Sequence, residues 1–147
     1  TPEALASILR TMQEFTPGKL HLVFGTDGDR DATKRVPLAK VAAQEADILW
    51  VTDENPRTEN AQSIRAQLLS GIKEERPEME NVCEVTTCRR DAIRKAILAA
   101  HSDDTVIITG KGAEPYQEIE GVFHAFNDTP VARDCLAAYK NRAHIQG

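Results

Sequence analysis

The sequence has no long apolar run. Its uncharged apolar stretches stop at five or six residues, far short of the ~20 needed to cross a bilayer, so no membrane partner is expected. A basic segment leading into an apolar one is also missing, and no signal peptide is expected. Cysteine is scarce: Cys83, Cys88 and Cys135 are odd in number and lack metal-knuckle spacing. They read as reduced thiols of a cytoplasmic protein, with packing roles. His21, His101, His124 and His144 form neither HxxxH nor HExxH, so no metal site is expected, and they read as surface or capped histidines. Positive charge is not in excess, with 18 Lys and Arg against 23 Asp and Glu and a net charge of -5. That balance argues against a nucleic-acid partner. Neither GxGxxG nor GxxxxGK[ST] occurs, so no standard dinucleotide or phosphate-loop fingerprint is encoded. Aromatic residues make up 5%, and the single Trp50 reads as core or an interdomain contact.

What is present suits one domain. The chain has 147 residues, 41% of them hydrophobic and 28% charged, enough to build a real core. Thr1-Pro2-Glu3 is a helix start, with Leu5, Ile8, Leu9 and Met12 on one face. Leu20 to Phe24 reads as the first strand. Pro37 opens a second helix with Leu38, Val41 and Ala42 inward. Ala46 to Val51 reads as a buried strand, and Ala61 to Ile72 as a helix with Ile64, Leu68, Leu69 and Ile72 inward. Val82 to Val85 is a short strand nearer an edge, because Glu84 interrupts its apolarity. Thr87 caps a helix from Cys88 to about Ala100, with Ile93, Ile97 and Leu98 inward. Thr105 to Thr109 has the composition of a central parallel strand. Glu120-Gly121 marks a hairpin within Glu118 to Phe126. Asn127-Asp128-Thr129-Pro130 starts a last helix whose inner face is Val131, Cys135, Leu136 and Tyr139, and Asn141 to Gly147 is expected to fray. The alternation predicts an α/β fold: a Rossmann-like, doubly wound, mainly parallel sheet with a late β-hairpin.

Three charged loops follow three of these strands, and in such a sheet ligands bind at the carboxyl ends of the strands. The first is Gly25-Thr26-Asp27-Gly28-Asp29-Arg30-Asp31 with Lys34-Arg35, a glycine turn at a helix start of the kind that attracts anions. The second is Glu54-Asn55-Pro56-Arg57-Thr58-Glu59. Pro56 stiffens it, Arg57 is suited to gripping a carboxylate and Glu54 to taking an ammonium, a pairing that fits a zwitterion. The third is Gly110-Lys111-Gly112-Ala113-Glu114-Pro115-Tyr116-Gln117, where Gly110 permits close approach of backbone to a ligand. Taken singly, each is equally a solvated surface turn; their convergence favours a site.

These three motifs, Gly28-Asp29-Arg30-Asp31, Glu54-Asn55-Pro56-Arg57-Thr58-Glu59 and Gly110-Lys111-Gly112-x-Glu114-x-Tyr116-Gln117, resemble the C-terminal domain of the Mur ligases. The nearest members add the third residue of the peptidoglycan stem peptide. The resemblance covers nearly the whole chain, in the family's order and spacing. It implies a domain excised from a three-domain enzyme, the N-terminal domain holding a UDP-sugar and the central one a phosphate loop, with ATP and Mg²⁺ held mainly there. It implies an ATP-dependent amide-forming ligase acting on UDP-MurNAc-L-Ala-D-Glu and a free amino acid through an acyl phosphate. This domain, inactive alone, would deliver the amino acid. By the resemblance, Arg30 contacts a substrate carboxylate, Asn55 and Arg57 hold the distal carboxylate, and Glu54, Glu114 and the Gly110 backbone take the ammonium. Asp29, Lys34 and Arg35 become candidates for nucleotide or phosphate contact, and no catalytic residue is implied within the domain. Glu54 stands where diaminopimelate-adding members usually have Asp, and Ala113 where the family often has His. Arg57 nevertheless favours meso-diaminopimelate, with lysine or ornithine as the alternative.

Two other readings stand beside this one. A receiver-like binding module would use Asp53 as phosphoacceptor and Lys111 as its partner, leaving the Asn-Pro-Arg and Glu-x-Tyr-Gln motifs unexplained. A folylpolyglutamate-type ligase fits the fold but not the Asn-Pro-Arg loop.

Overall fold

A computed structural model describes residues 1–110, 116–120 and 122–146. The helices are α1 (Pro2–Glu14), α2 (Arg35–Glu45), α3 (Ala61–Glu75), α4 (Arg89–Ala99) and α5 (Asp128–Gln146). The strands are β1 (Leu20–Phe24), β2 (Ile48–Val51), β3 (Val82–Glu84), β4 (Thr105–Ile108), β5 (Tyr116–Ile119) and β6 (Val122–Ala125). The first four strands form a parallel sheet in the order β3-β2-β1-β4, and β5 and β6 form a separate antiparallel pair. The order reverses between β1 and β4, which both border the same crevice; such a switch point is where open α/β sheets bind ligands.

Alternate residues of β1 feed two cores. Leu20, Leu22 and Phe24 pack with Leu5 and Leu9 of α1, Ala39 and Ala42 of α2, and Leu68 and Ile72 of α3. Val23 faces the other way, onto Ala92, Ile93 and Ala96 of α4 and Val131 and Cys135 of α5. Helices thus cover both faces, and all five β1 residues are buried, so β1 is the central strand. The Thr105 stretch lies at an edge of this sheet, and its residues are only half-buried. Its β-branched apolar composition reports helices on both faces, not neighbours on both edges.

The helix ends follow local chemistry. Thr1 Oγ1 caps α1 by accepting from the Ala4 N–H at 3.2 Å, and Asn60 Oδ1 caps α3 by accepting from the Ser63 N–H at 3.0 Å. The cap of α4 is Cys88 and not Thr87, whose hydroxyl instead donates to Asp91 at 2.6 Å. Two expected inner faces rotate: Ile8 is 50% exposed and Leu136 45%. The last helix continues to Gln146 where fraying was expected.

His21, expected at the surface, is fully buried. Trp50 Nε1–H donates to its Nδ1 at 3.2 Å, and indole is a donor only, so the imidazole proton sits on Nε2 and donates to Asp104 Oδ2 at 3.0 Å. Burial alone would raise the Asp104 carboxyl. The N–H groups of His101 and Lys19 and the His21 ring outweigh it and lower the pKa to about 2. A depressed carboxyl stabilises the fold above its unfolded value of 3.8, and that contribution is lost as pH falls through about 2. Urea unfolding at pH 7, 4 and 2.5 should therefore show a component on the order of 1–2 kcal/mol, discounted for nearby solvent, that disappears in Asp104→Asn. An unchanged pH dependence in that variant would exclude the assignment.

Candidate functional site

The ends of β1, β2 and β4 open into a cleft of about 360 Å³, lined by Thr26, Asp27, Arg30, Lys34, Glu54, Thr109 and Gly110, with Ala4 and Ile8 of α1 on its far wall. A larger groove of about 610 Å³ runs between α4, β4 and α5, but no residue of the three charged loops lines it among the described residues.

The first two loops are bolted together. The Gly28 N–H donates to the Asn55 carbonyl at 2.8 Å, and a Cβ on Gly28 would overlap the Pro56 carbonyl, so only glycine fits. Asp29, with φ 54°, accepts from the Thr58 N–H at 3.0 Å and the Thr58 hydroxyl, while its own N–H donates to Glu59 Oε1 at 2.8 Å. The Thr58 contacts hold the Asp29 carboxyl below its ordinary range. Glu59 accepts both terminal nitrogens of Arg35 at 2.9 Å, and Arg35 also donates to the Asp27 carbonyl at 3.0 Å. The Arg35 bonds, with the Asp29 N–H, lower the Glu59 carboxyl.

This geometry gives two of the expected contacts a structural role. Arg35 borders the cleft, but its side chain is 3% exposed and engaged by Glu59. Asp29 is likewise spent on Thr58. Both hold loop to loop, because a buried guanidinium needs partners for its donors and found them in Glu59 and the main chain.

Asn55 is also fully buried. Its Oδ1 accepts from the Glu118 N–H at 2.9 Å, and Gln117 Nε2 donates to the Glu54 carbonyl at 2.8 Å. Arg57, with φ 54°, bridges to Ile119 in parallel register, its N–H donating to the Glu118 carbonyl at 2.9 Å. So the β5–β6 hairpin docks on the Glu-Asn-Pro-Arg loop, and Asn55 is the peg. Gln117 thus helps to hold the Glu54 main chain.

Among the described residues, the charged groups lining the cleft are Asp27, Arg30, Asp31, Lys34, Arg35 and Glu54, with Arg57 behind Asp27. Arg30 is 67% exposed, and Lys34 is exposed beside it. Arg57 is 18% exposed, donates to the Gly28 carbonyl at 2.9 Å, and stands between Asp27 Oδ2 at 3.3 Å and Glu118 Oε1 at 3.6 Å. Glu54 lies against Gly110, whose φ is +115° and whose Cβ, if present, would come within 2.8 Å of the Glu54 carboxylate. Glu114 and Lys111 lie outside the described residues. Asp53 is taken by Arg65 at 2.6 Å, with Glu84 on the same guanidinium at 2.9 Å. A phosphoacceptor role for Asp53 therefore has no geometric support. Among the described residues no cluster of His, Cys, Asp and Glu is arranged to hold a metal ion.

Beneath the site lies a residue the sequence reading passed over. Arg89 is fully buried and grips Asp128 with Nε at 2.8 Å and Nη2 at 2.7 Å. It also donates to the carbonyls of Asp53 and Thr109 at 2.9 Å, the residues just before Glu54 and Gly110. The available signal was spacing: Arg89, Ile93 and Ile97 follow one another at four-residue steps, placing a charge on an apolar helix face.

A sequence profile described as "Mur ligase, glutamate ligase domain" matches residues 1–112. The chain belongs to this Mur ligase domain family. Among curated relatives, the UDP-N-acetylmuramoyl-L-alanyl-D-glutamate--2,6-diaminopimelate ligase of Xylella fastidiosa is 46% identical over 138 residues, 94% of this chain and 27% of that protein. The enzyme of the same name from Clostridioides difficile is 44% identical over 137 residues, covering 93% and 28%. A solved structure of a ligase with that name superposes with a TM-score of 0.82 at 35% identity, covering 95% of this chain and 28% of the other. The Mur ligase domain described here thus spans about a quarter of the length of the curated relatives it matches. Of the motifs that carried the resemblance in sequence, Arg30, Asp31, Glu54 and Gly110 line the cleft.

Proposed function

We propose that this chain is the amino-acid-delivering C-terminal domain of an ATP-dependent, cytoplasmic ligase that joins meso-diaminopimelate to UDP-MurNAc-L-Ala-D-Glu in peptidoglycan precursor synthesis. The observation that carries the proposal is that Arg30, Asp27 and Glu54 line one cleft at the ends of β1 and β2, with Arg57 joined to it through Asp27. Two guanidinium groups beside a carboxylate match an amino acid that ends in a carboxylate and an ammonium. The names of the curated relatives support the same substrate.

In this reading Arg30, Arg57, Glu54 and the Gly110 backbone touch the amino acid, with Glu114 as a further ammonium partner. Asn55, Asp29 and Arg35 hold those groups in place from beneath. Lys34, exposed at the start of α2, faces the phosphate end. The domain's contribution is position: it presents the amine to an acyl phosphate formed on the dipeptide carboxylate, and orientation alone can supply several kcal/mol, up to ~7–11. ATP and Mg²⁺ belong to the remainder of the enzyme, as do the contacts to the UDP-sugar.

Lysine or ornithine remains the second reading, and one observation favours it. Asp27 and Glu118 flank Arg57, so its charge is largely compensated and repels a distal ammonium less than a bare arginine would. The test is ligation by the full-length protein of UDP-MurNAc-L-Ala-D-Glu, with ATP and Mg²⁺, to meso-diaminopimelate or L-lysine. The expected result is amide product and ADP with diaminopimelate and little with lysine. No ligation of either amino acid would remove the proposal, and lysine use alone would keep the ligase and change its substrate.

A further inference from the structure

We propose that Asp27 is a specificity-determining residue of the amino-acid site, an internal carboxylate that occupies the two arginines until the distal carboxylate of the incoming amino acid displaces it. The proposal rests on the ligase reading above.

Asp27 sits where the first loop leaves β1. Its Oδ2 is 3.3 Å from Arg57 Nη1 and 4.0 Å from Arg30 Nε, so two arginines from different loops converge on one oxygen. Both distances exceed the ~2.7–2.9 Å of a well-formed charge-assisted bond. The contact is that of a loose pair, open to exchange. The other oxygen, Oδ1, is buried and has no hydrogen-bond partner among the described residues, and the same holds for the hydroxyl of neighbouring Thr26. Both residues line the cleft. A buried acceptor left unpaired is unfavourable, so this Asp27 rotamer is held by the arginines against a penalty. Rotation toward the cleft would relieve it.

A ligand carboxylate has the stronger claim on Arg57. It can accept two parallel bonds from one guanidinium, whereas Asp27 reaches it through a single oxygen. The fold does not depend on the Asp27 side chain. Its structural bond is made by the main-chain carbonyl, which accepts Arg35 Nη2 at 3.0 Å and survives any side-chain replacement. Two consequences follow. Apparent affinity for a distal carboxylate is reduced by the fraction of molecules in which Asp27 already holds Arg57. The same negative charge makes the cleft less hostile to a distal ammonium, so Asp27 narrows the preference between the two kinds of amino acid.

The experiment measures KM for meso-diaminopimelate and L-lysine with the full-length protein, its Asp27→Asn variant and its Asp27→Ala variant. Thermal-shift titration with each amino acid in the absence of ATP gives a readout that needs no turnover. In both variants, KM and the thermal-shift midpoint for diaminopimelate should fall about three- to tenfold. KM for lysine should rise, and KM for ATP and the UDP-dipeptide should not move. A diaminopimelate KM that is unchanged or raised overturns the proposal, since Asp27 then takes an ammonium or acts only in the fold. So does failure of both variants to fold. If the unmodified protein uses lysine alone, the displaced-carboxylate idea falls while the ligase reading stands; if it ligates nothing, that reading falls first.

Discussion

Arg89→Ala should cost about 3–5 kcal/mol of folding stability, the largest single-residue loss expected in this domain. The mechanism is specific. Arg89 is fully buried, so truncation strands Asp128 as an uncompensated carboxylate that is itself only 8% exposed. It also removes both donors from the carbonyls of Asp53 and Thr109. Part of the loss is cavity, since Arg89 is among the largest buried side chains. Chemical denaturation of Arg89→Ala, Asp128→Asn and the double variant checks this. The two single losses should be strongly non-additive, with a coupling of about 1–3 kcal/mol. Additive losses would show that the ion pair is not the unit. A second reading comes from the site: because Arg89 pins the main chain just before Glu54 and Gly110, any folded variant such as Arg89→Lys should raise KM for the amino acid more than for ATP.

Arg57→Ala should lower kcat/KM for meso-diaminopimelate in the full-length enzyme by about 2–4 kcal/mol, some 30- to 1000-fold, carried mainly by KM. The residue is nine positions past the start of β2 and is positioned three ways. Its main chain is locked to β5 on both sides, Nη1 to the Gly28 carbonyl, and its flanks to Asp27 and Glu118. The hairpin bonds are main-chain and persist in the variant, so melting temperature should fall only modestly. With the arginine gone, Asp27 and Glu118 remain as unopposed carboxylates, and lysine should become a relatively better substrate. A variant that discriminates against lysine as strongly as the parent would show that Arg57 does not read the distal group.

Much of this was legible in the chain because the relevant signals are local. Helix starts at Thr1-Pro2 and Asn127-Asp128-Thr129-Pro130, the apolar strand at Leu20 to Phe24 and the turn at Glu120 each depend on a few neighbouring residues, and each was found where expected. The doubly wound arrangement followed from alternating elements, which leave few alternatives. What was misread depends on residues far apart. The Thr105 strand looked central because burial on two faces and pairing on two edges leave the same apolar composition. His21 looked like a surface histidine because its partners, Trp50 and Asp104, lie 29 and 83 positions away.

The candidate site divides along the same line. The sequence by itself determined which loops carry the chemistry and which residue types stand in them, since motif order and spacing survive without coordinates. It also marked Gly110 as a point of close approach, whereas the tight contact of Gly28 with Pro56 came from the structure. Only the tertiary structure decided which charges are free. Arg30, Lys34 and Arg35 are near neighbours of similar type, yet Arg35 is buried on Glu59 while Arg30 and Lys34 face the cleft. Asn55 and Arg57 share one loop, yet one is a buried peg and the other is partly exposed and joined to the cleft through Asp27. A side chain's type sets what it can bind, but its availability is set by which partner the fold brings within hydrogen-bond reach. That partner usually lies on another loop.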